Sequence, residues 1–133
     1  MRFKRFKLRR RKDIQRVFTE GKSISNENFS IKILVKKTEN EKGAKKNTDE
    51  KNEFKIDFRF TVIVPKKAVK LAVRRNRIKR IVREAVRSLI KENKVFDGDM
   101  VIIVKKDISF LKSYSVKAEI EKILRKYMNN EIQ

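Results

Sequence analysis

Six cations and an amide crowd into ten residues: Arg74, Arg75, Arg77, Lys79, Arg80 and Arg83, with Asn76 among them. The chemistry such a set can do is recognition rather than bond-making. An Arg guanidinium forks two donors onto a phosphate, and an Asn amide can both donate and accept at a base edge or a 2′-hydroxyl. Side chains suited to catalysis are largely missing. The chain has no His and no Cys, which removes the usual general base near neutral pH, the thiolate nucleophile and the two commonest zinc ligands. Without Cys there is no disulfide framework and no need of an oxidising compartment. No catalytic constellation and no metal site is expected on the protein.

The surrounding charge points the same way. The 133 residues carry a formal net charge of +21, and most of it sits in two blocks. Residues 2–12 hold eight basic residues and no acid, and residues 66–91 hold eleven against Glu84 alone. Charge of one sign opposes compaction, so its concentration implies a polyanion, with nucleic acid the first candidate and an anionic membrane surface the second. Residues 38–53 differ: five acids, four Lys and one apolar residue, Ala44, read as a flexible polar loop. The longest apolar run, Met100–Val104, is far below the roughly 20 residues of a membrane span. Neither a spanning segment nor a secretory leader is expected. A basic arm at 1–12, one domain at 13–129 and a short tail at 130–133 are the expected organisation.

The elements that position these residues follow from apolar spacing. Ile14, Val17 and Phe18 suggest a short helix over 13–20, stopped by Gly21. Phe29, Ile31, Ile33 and Val35 alternate with Ser30, Lys32 and Leu34 as in a strand, and alternation returns from Phe54 to Val64, ending at Pro65. Residues 99–104, DMVIIV, read as a strand buried on both faces. Val116, Ile120, Ile123, Leu124, Tyr127 and Met128 close the chain with an amphipathic helix. On the long helix predicted from about Leu71 to Lys91, Ile78, Ile81, Val82, Ala85 and Leu89 share a core stripe. Asn76, Lys79, Arg80, Arg83, Arg87 and Lys91 occupy the opposite half. A solvated face would ordinarily mix signs to gain i,i+4 pairs; this one does not. Arg74, Arg75 and Arg77 also stand near the positive end of the helix dipole, which calls for an external anion. Phe29, Phe54, Phe58 and Phe60 fall in phase with the core, while Phe18 suits either core or a groove wall. The other sheet face, with Ser30, Lys32, Lys55, Arg59 and Thr61, is polar enough to be open and cationic.

The run Lys70–Arg80, KLAVRRNRIKR, with Arg75-Asn76-Arg77 at its centre, resembles the protein component of bacterial ribonuclease P. Leu8–Ser23, LRRRKDIQRVFTEGKS, is similar to that family's first helix, and Lys66-Lys67 after a strand fits as well. The resemblance spans about residues 7–129. It implies an α/β chain folded as an α+β sandwich in the order αβββαβα. A mixed four-stranded sheet is packed by helices, and its parallel strands are joined through the long Arg-rich helix. Lys22–Asn26 is the candidate for the short strand. The implied role is that of an accessory subunit in the cytoplasm, assisting a catalytic RNA that removes the 5′ leader from precursor tRNA. Magnesium is expected on the RNA and no cofactor on the protein, with no membrane and no small-molecule substrate. By the same resemblance Arg75, Asn76, Arg77, Lys79, Arg80 and Arg83 would meet the catalytic RNA. Ile14, Phe18, Lys32, Lys66 and Lys67 would line the cleft for the leader. Ile14 and Lys32 stand where relatives usually or often carry aromatics, so charge is expected to replace stacking there. The stretch Ala68–Leu71 is one residue longer than usual and lacks Gly, so the turn into the long helix should differ locally.

Two other readings fit the composition. A structural ribosomal or general RNA-binding protein would be equally small and basic. A membrane-surface binder could use Phe3, Phe6 and Leu8 as a small apolar face within the basic arm.

Overall fold

A computed structural model describes residues 6–36 and 57–132, with side chains as far as 128. The loop at 38–53, the strand residues Phe54, Lys55 and Ile56, and Phe3 lie outside the described residues. Seven elements follow one another: α1 (Arg11–Glu20), β1 (Lys22–Ser25), β2 (Phe29–Val35), β3 (Phe58–Ile63), α2 (Ala72–Lys91), β4 (Gly98–Val104) and α3 (Ser113–Ile132). The order is the expected αβββαβα.

The four strands form one sheet in the order β1-β2-β4-β3. β1 with β2 and β2 with β4 are antiparallel, and β4 with β3 is parallel, so the crossover between parallel neighbours runs through α2. The buried run DMVIIV accordingly takes a central place. Period-two alternation sorts the sheet into rows. Ile33, Met100 and Phe60, then Ile31, Ile102 and Val62, face α2 and α3 and join the main core. Ile78, Val82, Ala85, Val86, Leu89 and Ile90 supply the α2 side, each Val, Leu or Ile contributing roughly 1.5–3 kcal/mol of burial. Ile81, on the same stripe, is only half-buried. The opposite face carries a smaller apolar cluster in which Leu8, Val17 and Val101 are buried, with Ile14, Leu34, Ile63 and Ile103 packed around them. This is where α1 lies on the sheet.

Three expectations need correction. The boundary between arm and domain at residue 12 falls inside the folded body, because Phe6 and Leu8 are each 2% exposed. Leu8 N–H also donates to the carbonyl of Phe60 at 2.9 Å, beside a parallel bridge between Lys7 and Phe60. An oily side chain every second residue was hidden among cations, and its burial removes Phe6 and Leu8 from any membrane-facing patch. The α1 helix begins at Arg11, two residues before the expected start. Gly21 does end it, but in extended backbone rather than a left-handed turn. Space is the reason: a Cβ there would lie 2.5 Å from the carbonyl oxygen of Val17 and 2.7 Å from that of Ile33. At the far end of α2, Asn93 adopts a φ of 58°, and the N–H groups of Asn93 and Lys94 return to the carbonyls of Ile90 and Leu89. That pattern is a Schellman motif, with Asn in the position usually given to Gly.

Candidate nucleic-acid interface

The sequence of α2 makes one face oily and the other cationic, and the fold turns the cationic one outward. Asn76, Arg77, Arg80 and Arg83 are exposed and Lys79 is half-buried. Among the described residues their side chains have no hydrogen-bond or ion-pair partner, so their donors are available to a ligand. The start of the helix behaves differently. No side chain caps it and no acid stands in its first turn, yet two of the three arginines there are satisfied within the chain. Arg75 Nη1 donates to the carbonyls of Val69 and Lys70 at 3.0 and 2.8 Å. Arg74 Nη1 donates to Asp107 at 2.7 Å. Among the described residues Arg77 has no such partner. Arg74 and Arg75 therefore do not need the external anion expected for all three, and Arg75 instead fastens the segment that carries Lys66, Lys67 and Lys70 to the helix.

A second surface lies on the outer sheet face, beside α1. The helix crosses the strands, with Asp13 near Arg59 on β3, Val17 over Val101, and Phe18 next to Lys32 on β2. Beyond it the row Ser25, Ser30, Ile103 and Ile63 continues the sheet toward the strand ends without being fully buried. Phe18 is 46% exposed. The Lys32 ammonium stands 5.7 Å from its ring centroid and donates to Ser23 Oγ at 3.2 Å, so ring and cation hold each other in place. Ile14 is one helical turn before Phe18 but serves mainly as packing in the α1 cluster. Lys66 and Lys67 are exposed in the turn after Pro65, where the N–H groups of Ala68 and Val69 return to the Pro65 carbonyl. Of the five residues expected along a cleft, Phe18 and Lys32 touch each other, Ile14 flanks them, and the two lysines stand past the end of β3.

Arg59 corrects the picture of an all-cationic outer face. Its guanidinium donates to both oxygens of Asp99 and reaches Asp13 as well. Hydrogen bonding to Asp99, ahead of the pull of Asp13, raises its pKa above the ordinary value. The charge is thus consumed in tying α1 to the sheet, and nothing in the sequence signalled a partner 40 residues away.

Comparison with known proteins agrees with this architecture. The family model described as Ribonuclease P matches residues 3–128. The chain belongs to that family. It is 26% identical to the ribonuclease P protein component of Staphylococcus epidermidis, over 98% of both chains. With that of an Exiguobacterium species it shares 30% identity, covering 92% of this chain and 90% of the other. The structure of the RNase P protein from Thermotoga maritima superposes with a TM-score of 0.64 at 27% identity, over 90% of this chain and 96% of that one. A Staphylococcus aureus RNase P protein mutant, at 23% identity and a TM-score of 0.70, shares the fold. A ribonuclease P protein component is one subunit of a ribonucleoprotein endoribonuclease acting in tRNA 5′-leader processing, so its work is done together with an RNA subunit.

One feature of this ribonuclease P protein escaped the sequence reading. A pocket of about 340 Å³ opens between residues 7–9, the β3 edge at Phe60–Val62, Ile14, and Arg83 and Arg87 of α2. It joins the two basic blocks, which lie some 70 residues apart in sequence, into one surface, with Lys7 and Arg9 on one wall and the α2 arginines on the other. The Leu8–Phe60 hydrogen bond and the Lys7–Phe60 bridge hold residues 7–9 against the β3 edge, and period-two spacing within a run of cations was the sign of it in the sequence. Among the described residues, no group of three or more Asp, Glu, His or Cys is placed to hold a metal ion. No helix among them is long and apolar enough to cross a membrane.

Proposed function

We propose that this chain grips the ribonuclease P RNA with the outward face of α2 and holds the single-stranded leader of precursor tRNA in the groove beside α1. The observation that carries the first half is the set Asn76, Arg77, Lys79, Arg80 and Arg83, without a side-chain partner among the described residues, on the outward side of a helix whose other face is buried. Rigid attachment to the core presents those donors at fixed spacing, so phosphates are met without a large ordering cost. Arg75 acts there by holding the Lys66–Lys70 segment in place. The second half rests on Phe18 and Lys32, where an exposed ring offers a base a stacking face and the ammonium beside it meets the phosphate. Lys66 and Lys67 extend the positive path. Hydrolysis itself belongs to the RNA and the magnesium it binds, and the protein contributes positioning and charge. The place of action is the bacterial cytoplasm, where precursor tRNA is made.

The test is cleavage of precursor tRNA by a bacterial ribonuclease P RNA at low magnesium, with and without the chain. Stimulation by the protein, and no cleavage by protein alone, is the expected result. A chain that folds and binds RNA but gives no stimulation would shift the reading to general or ribosomal RNA binding.

A further inference from the structure

The most exposed large apolar side chains of the described residues are not scattered. Leu71, Val73, Phe110 and Tyr114 are 60%, 78%, 75% and 71% exposed, and the next, Phe18, is 46%. All four fall on two segments, the entry to α2 and the β4–α3 loop with the first turn of α3. The Arg74–Asp107 ion pair joins those segments at 2.7 Å; Val73 adjoins Arg74, and Phe110 is three residues beyond Asp107. Because β3 and β4 are parallel, with Ile63 opposite Ile103, both segments also leave the sheet at the same end. The loop is anchored beneath the rings. Ile108 is buried, Leu111 N–H donates to the Ile108 carbonyl at 3.0 Å, and Ser109 N–H donates to Asp107 at 2.9 Å. Phe110 is thus held out on a fixed turn.

The surroundings say what could cover such a patch. Lys70, Arg74 and Arg77 flank it on one segment and Lys105, Lys106 and Lys112 on the other. Arg74 is held by Asp107, Lys106 by Glu27, and Lys105 donates to the Asn26 carbonyl, so Lys70, Arg77 and Lys112 are the flanking cations without a partner among the described residues. The one acid in either segment, Asp107, is covered by Arg74. Docking a second copy would set one charge of +21 against another. Rings set among cations suit unpaired nucleotides, whose bases stack on the rings while their phosphates meet Lys and Arg.

Resting on the function proposed above, we propose that Phe110 and Tyr114 form a stacking platform for unpaired nucleotides of the RNA subunit. The platform extends the α2 surface across the Arg74–Asp107 pair onto the β4–α3 loop. Stacking adds affinity without neutralising a phosphate, and this separates it from the contacts of the α2 arginines.

The experiment measures affinity of the full chain for a transcribed bacterial ribonuclease P RNA across a salt series. The chains compared are the wild type, Phe110→Ala/Tyr114→Ala, Phe110→Leu/Tyr114→Leu and Arg80→Ala. The double alanine variant should lose about ten-fold or more at every salt concentration, with an unchanged slope of log affinity against log salt. Arg80→Ala should flatten that slope. The leucine pair should not restore binding, and urea midpoints should stay at the wild-type value because both rings are exposed. Equal affinity of the wild type and the double alanine variant would overturn the platform alone. So would rescue by leucine, or a wild-type dimer that the variant converts to monomer with RNA affinity intact. A wild-type chain that does not bind the RNA would overturn the parent reading and this one with it.

Discussion

Arg59 and Asp99 are joined across neighbouring parallel strands by two hydrogen bonds, Nε to Oδ1 and Nη2 to Oδ2, each 3.0 Å. The third nitrogen, Nη1, reaches Asp13 of α1 at 3.3 Å. One guanidinium therefore fixes the helix that walls the proposed leader groove to the sheet that floors it. Arg59→Ala would strand Asp99, 8% exposed, without its partner. A loss of roughly 1.5–3 kcal/mol is expected, read as a lower urea midpoint at unchanged m-value. Arg59→Lys should recover only part, since an ammonium cannot fork onto both oxygens. A wild-type midpoint for the alanine variant would show that the clamp contributes nothing.

Gly21 fills a different need. Its missing Cβ leaves room for the carbonyls of Val17 and Ile33, both main-chain atoms that cannot rotate away. Gly21→Ala should cost about 1–3 kcal/mol through this overpacking, although alanine tolerates the local φ of −81°. Thermal unfolding would reveal it. An unchanged midpoint would mean that α1 can lift from β2 freely.

The two proposed RNA surfaces should separate by mutation. Phe18→Ala removes a half-exposed ring, so stability should hardly move while discrimination between precursor and mature tRNA falls. Arg80→Ala should weaken association with the RNA subunit and lower the salt slope by about one contact. Equal losses for precursor and mature tRNA in both variants would contradict this division of labour.

Acid should act at Asp107. Hydrogen bonds from the hydroxyl and N–H of Ser109, then from Arg74, lower its pKa from 3.8 to about 2. A depressed carboxylate gives its full stabilisation above the unfolded value and loses it as pH falls through the folded one. The contribution is therefore essentially intact above about pH 4 and gone only below about pH 2. Asp107→Asn should flatten the stability curve in that window, measured by urea unfolding at successive pH values. A curve unchanged from the wild type would remove Asp107 from the acid response.

Much of the fold was legible because burial imposes a period. Phe29–Val35 and Phe58–Ile63 alternate, α2 carries a continuous stripe, and the doubly buried β4 reads as an unbroken apolar run. Lys22–Ser25 was visible only as a candidate because Ile24 is its one half-buried side chain; an edge strand has little apolar pattern to show. The outward residues of α2 were legible from the same helical period. What stayed hidden depended on tertiary partners. Arg59 and Asp99 are distant in sequence, Arg75 turns back to the main chain, and Ile14 divides itself between packing in the α1 cluster and lining the pocket beside residues 7–9. Phe6 and Leu8 were masked by the charge around them, since a string of cations looks like an arm whether or not its oily members are buried.

The bond from Leu8 to Phe60 reaches beyond the geometry of the groove. β3 stands at the border of the sheet, and a bare border strand invites the same strand of another molecule. Lys7 and Leu8 cover part of that border, and the residues before Arg11 carry six basic side chains. Shortening the chain to start at Arg11 would thus strip away a steric guard and an electrostatic one together. The shortened protein should aggregate strand to strand, rising with concentration and falling with low salt, on top of the stability lost with the buried Phe6 and Leu8.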